Sequence, residues 1–99
     1  MKIVKLNRNF TIYKNHRFEI GIKFASYDPN GAGAMAKQAG KLFGTEAFMW
    51  KYYPNELVKG DWATGFGSPR PNGKRPYWVY LRNESMLSML LLSLEASHG

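Results

Sequence analysis

Cysteine is absent from this chain of 99 residues. That excludes disulfide staples, thiolate zinc sites and a cysteine nucleophile, and it suits a reducing compartment. Long apolar runs are absent too. The most apolar stretch, residues 86–92, falls far short of the ~18 apolar residues a membrane span needs. The first residues also lack the apolar core of a signal peptide. The expectation is a soluble, cytoplasmic protein that does not enter membranes. Histidine is scarce. Only His16 and His98 have a side chain that titrates near neutral pH when unperturbed. The few carboxylates, among them Asp28, Glu46 and Asp61, show no metal-ligand spacing around them. No phosphate-loop lysine motif, H-E-x-x-H or nucleophile elbow occurs. No catalysis, metal or cofactor is expected.

Acidic residues are missing from two long stretches, residues 1–18 and 62–83. Lys2, Lys5, Arg8, Lys14 and Arg17 fall in the first. Arg70, Lys74, Arg75 and Arg82 fall in the second. Over the whole chain, 14 Lys and Arg face 7 Asp and Glu, a formal charge of +7. Such an excess favours anionic partners and is neutral about fold. A chain this long builds one hydrophobic core, so residues 1–99 are read as a single domain.

Periodicity supplies the elements. Residues 2–6 and 10–13 read as short strands. Residues 17–24 alternate more clearly, with Phe18, Ile20, Ile22 and Phe24 on one face. A helix is expected from Asp28 or Asn30 as N-cap to about Phe43, with Ala32, Met35, Ala36, Ala39, Leu42 and Phe43 inward and Gly44 as its C-terminal cap. Residues 48–52 read as a strand ended by Pro54, and residues 55–60 as a loop or one helical turn. Residues 61–66 and 76–82 form a hairpin, with Asn72-Gly73 as a tight turn. Asn83 caps a last helix through about Ala96. The expected architecture is α+β: an antiparallel sheet of about five to six strands, a meander followed by a C-terminal hairpin, with two helices packed on it in two layers.

Within the last helix, Met86, Leu87, Leu90, Leu91 and Leu94 share one broad face. Met89 and Leu92 fall on the other side, which suggests either a deeply buried helix or a second apolar contact, with a homodimer through this helix the simplest candidate.

The segment at 68–83, SPRPNGKRPYWVYLRN, is the richest in chemistry. Arg70, Lys74 and Arg75 surround a turn stiffened by Pro69, Pro71 and Pro76, and each cation can neutralise about one phosphate. On the strand that follows, Tyr77, Val79 and Leu81 make the better core face. Trp78, Tyr80 and Arg82 are then left outward as a base-stacking row. In the alternative, the last helix covers that row and the rings are core. Gly31-Ala32-Gly33-Ala34-Met35-Ala36 fits G-x-G-x-x-A formally, but without a second parallel strand it reads as close helix packing. A weaker phosphate contact at that helix start brings in Lys37. The functional expectation is a small basic non-catalytic protein that binds DNA or RNA with little sequence specificity. The alternative, from the same Trp, Tyr, Met and Arg surplus, is an inhibitor or adaptor docking on an acidic protein surface.

Overall fold

The computed structural model describes residues 1–44 and 61–98. In chain order these form β1 (Lys2–Lys5), α1 (Thr11–His16), β2 (Ile20–Phe24), α2 (Ala32–Phe43), β3 (Trp62–Phe66), β4 (Tyr77–Leu81) and α3 (Glu84–His98). The four strands make one antiparallel sheet in the order β1-β2-β4-β3. The class is α+β as expected. Among the described residues, however, there are four strands rather than five or six, and three helices rather than two. The strand read at 48–52 and the loop at 55–60 lie outside the described residues.

The opening meander is replaced by a different topology. Because β4 lies between β2 and β3, those two strands run parallel, and parallel strands cannot be joined by a tight turn. The chain therefore crosses over through α2, and the 62–81 hairpin folds β4 back into the gap. Residues 10–13, read as a strand, instead begin α1. The Asn7 side chain accepts a hydrogen bond from the Asn9 N–H, and Asn7 O accepts one from the Phe10 N–H, coiling the chain there. Alternation over only four residues does not separate strand from helix. What decides is that a helix lets Phe10, Ile12 and Tyr13 all pack on the sheet.

The helix α1 ends at Arg17, which takes the left-handed conformation (φ 62°, ψ 28°) and donates its N–H to Tyr13 O. That turn moves Phe18 away from the face expected for it. Phe18 is fully buried, but beside Tyr80 in the cluster under α1 rather than with Ile20 and Ile22.

The sheet consequently has two covered faces. On one, Ile20, Ile22, Trp62, Tyr77, Val79 and Leu81 meet Ala32, Met35 and Ala39 of α2 and Met86 and Leu90 of α3. The alanines let α2 sit close, and Gly40 lies against the Trp62 ring, whose indole N–H donates to Gly44 O at 2.9 Å. Gly44 has positive φ (86°), as a C-terminal cap should, although its ψ of −153° is not left-handed helical. Leu42, read as inward, is partly exposed. The N-cap position of α2 is Gly31, which supplies no side-chain cap. Asp28 instead turns the preceding loop, accepting from the Asn30 N–H.

The cap predicted for α3 is present: Asn83 Oδ1 accepts from the Met86 N–H at 3.0 Å. Gln38 and Ser93 are hydrogen-bonded side chain to side chain, tying α2 to α3, and Lys5 pairs with Glu84 at 2.8 Å across the start of α3. Asn83→Ala is expected to cost about 1 kcal/mol, the usual worth of such a cap. A thermal melt of the variant against the parent checks it, and an unchanged midpoint would deny the cap its role. None of the described helices is long and apolar enough to cross a membrane.

Candidate nucleic-acid interface

The second sheet face, under α1, carries the candidate site. Side chains along a strand alternate between faces, so cross-strand partners share one. Lys2 opposes Lys23, Lys23 opposes Trp78, and Trp78 opposes Gly65. One row thus crosses all four strands as Lys2, Lys23, Trp78 and Gly65. The next row in runs Val4, Gly21, Tyr80 and Ala63. The glycines and alanine beside the large rings let them lie flat on the sheet. A Cβ on Gly21 would stand 2.8 Å from Trp78 Cζ3, closer than atoms tolerate.

Trp78 is half-buried, its ring stacked on Tyr80 with centroids 5.8 Å apart and planes 8° from parallel, and Phe10 meets it edge-on. Lys23 Nζ stands 5.6 Å above the Trp78 ring. Arg70 reaches the same area from the hairpin. Lys2, Lys23 and Arg70, with Met1 and Ala25, line an open depression of about 310 Å³. The two acid-free segments of the chain therefore meet here.

Like charges placed directly opposite on neighbouring strands repel. Lys2 and Lys23 are such a pair, and Arg70 adds a third positive charge to the same depression, with no carboxylate among its described lining residues. An anion between them would turn that repulsion into attraction.

The hairpin tip is built differently from the expected two-residue turn. Only Gly73 has positive φ (81°); Asn72 does not. The Gly73 N–H donates to Arg70 O and the Arg70 N–H to Lys74 O, enclosing a three-residue loop of Pro71, Asn72 and Gly73. Proline presets the first corner and glycine supplies the positive φ, while Asn72 Oδ1 accepts from the Lys74 N–H. Arg70 and Lys74 are exposed on this loop. Arg75 is exposed too, but already engaged: its Nε donates to Gly67 O at 3.0 Å and its guanidinium lies 5.8 Å from the Phe66 ring.

Three residues expected at the interface are placed otherwise. Tyr80 is buried against Phe18 and Ala63, so it offers no free ring face. Burial also pushes its hydroxyl well above the usual tyrosine range, keeping it neutral. Arg82 is half-buried with its guanidinium 4.1 Å from the Phe18 ring centroid; burial lowers its pKa while Asp61 works the other way. Its place is structural. Lys37 is exposed on α2, across the sheet from Trp78. Met89 and Leu92 are exposed on α3, off its core-facing side, as their spacing implied.

Lys2 and Lys23, by contrast, belong to the site although the sequence did not single them out. Alternation alone puts Lys23 on the face opposite Ile22, but only strand register shows that Lys2 and Trp78 share it.

Fold and site together define a basic α+β protein whose four-stranded antiparallel sheet presents a cation-and-aromatic row beside a short covering helix. No family model matches the chain, and no curated protein or solved structure matches it significantly.

Proposed function

We propose that this protein is a non-catalytic nucleic-acid-binding protein with little sequence specificity. The observation that carries the reading is the Lys2, Lys23 and Trp78 row with Arg70 closing on it. Phosphates of a strand lying along the row pair with Lys2, Lys23, Arg70 and the nearby Lys74. A base rests on the ring surface that Trp78 leaves exposed. Positive grooves beside aromatic platforms hold nucleic-acid strands in this way, and the backbone contacts carry no sequence information. Nothing in the row supplies a base-edge code.

Tryptophan fluorescence is the direct test, titrating single-stranded and duplex oligonucleotides at low and moderate salt. Quenching that fades as salt rises is expected; in a Trp50→Phe background, which removes the third tryptophan, Trp78→Leu should abolish most of it, since Trp62 is buried under α2. No response at low salt would overturn the reading and direct the search to an acidic protein partner.

A further inference from the structure

Three further cations gather on α1. Arg8 precedes the helix, Lys14 lies within it and Arg17 ends it. With Tyr13 they line an open cavity of about 510 Å³. Among the described residues, every charged group lining this cavity is positive, as at the Lys23 row, yet none of the four belongs to that row.

Ordinary structural roles account for only part of the cluster. A cation at a helix C-terminus interacts favourably with the last carbonyls, which suits Lys14 or Arg17. Arg8 lies before the helix start, where the dipole opposes a positive charge. Arg17 occupies the left-handed region that residues other than glycine rarely enter, and where asparagine or glycine is more at ease. An arginine stands there nonetheless. The segment that carries these cations is held firmly on the sheet: Ile12 is buried, Tyr13 packs on the cluster under α1, and Phe10 meets Trp78 edge-on.

We propose that this cavity is a phosphate-binding site. Arg8 and Arg17 grip the oxyanion through paired guanidinium N–H groups, the geometry in which arginine outperforms a point charge, and Lys14 adds a further cation. Tyr13 forms the wall. The ligand chemistry is a phosphate group, whether free inorganic phosphate or a phosphate of a nucleic-acid backbone. The second source rests on the function proposed above. Because α1 and the Lys23 row occupy the same side of the sheet, that source would give one strand two separate anchorages.

The test compares the parent with a variant carrying Arg8→Gln, Lys14→Gln and Arg17→Asn, asparagine being chosen because it accepts positive φ. Inorganic phosphate is titrated at constant ionic strength against a chloride control, reading backbone amide shifts by NMR. Saturable shifts at residues 8–17, weakened at least tenfold in the variant, are expected. Shifts equalled by chloride, or a variant that titrates like the parent, would overturn the site. Should the triple variant fold poorly, Arg8→Gln alone lies outside the helix and must still weaken phosphate.

A second arm measures oligonucleotide affinity against salt. A slope reduced by just under one unit in the triple variant, at roughly 0.7 to 0.9 per phosphate neutralised, assigns the phosphate to a strand. An unchanged slope beside saturable phosphate binding assigns it to the free ion. Phosphate binding without any oligonucleotide binding leaves this site standing and removes the nucleic-acid function. Oligonucleotide binding with no phosphate response and an unchanged slope does the reverse.

Discussion

Replacing Lys23 and Arg70 together by glutamine is expected to weaken oligonucleotide binding about a hundredfold at ~50 mM salt. A cation that no longer meets a phosphate forfeits its share of counterion release, about tenfold in affinity at that salt. The same pair should cost much less at moderate salt, because the released ions then gain less entropy. Lys23 lies over the Trp78 ring, and giving up that interaction costs about 0.5–1 kcal/mol, so the fold persists. Lys37→Gln, across the sheet, serves as the charge-matched comparison for either single replacement and should leave affinity near the parent value. Equal losses from Lys37→Gln and from either single site variant would mean that total charge, not this row, governs binding. Filter binding or fluorescence anisotropy at two salt concentrations decides between them.

The largest loss of stability is expected from Gly21→Val. The glycine lies in a central strand with Tyr80 opposite it and the Trp78 ring across it. A new Cβ would meet Trp78 Cζ3 at 2.8 Å and Cε3 at 2.9 Å, with Leu6 Cδ2 at 3.3 Å behind. The ring is held between Tyr80 and Phe10 and has little room to yield. Overpacking of this kind costs about 3 kcal/mol, or roughly 12–24 °C in the melting midpoint of a chain this size. Trp78→Ala added to Gly21→Val should recover part of the loss, because it removes the atoms in conflict. A Gly21→Val protein that melts like the parent, or a double variant with no recovery, would show that the ring does not depend on this glycine.

These two expectations meet at one place, since Gly21 is what allows Trp78 to lie flat within reach of Lys23. Valine has the higher strand propensity, yet the position holds glycine. In local terms that residue weakens a strand; in the sheet it makes space for a ring.

The local pieces were legible in the order of amino acids alone. Alternation placed Ile20 and Ile22 together, and Tyr77, Val79 and Leu81 together, because a strand side chain has only two directions available. Helical spacing selected Ala32, Met35 and Ala39 for the core and left Met89 and Leu92 outside, and Asn83 marked the start of α3 through a bond made within four residues. Tertiary packing set what lies beside what. Four alternating residues at 10–13 were compatible with strand or helix, and became helix because Phe10, Ile12 and Tyr13 then all reach the sheet. Phe18 changed partners because Arg17 turned the chain in the left-handed direction just before it. Tyr80 and Trp78 sit on the same face of one strand, but the first is buried in the cluster with Phe18 and Ala63 while the second is only half-buried, a difference set by segments distant in the chain. The site follows the same logic. Lys2, Lys23 and Arg70 are far apart along the chain, and nothing in the identity of a lysine records which strand pairs with its own. Register does that, and register is set when the two faces of the sheet are buried together.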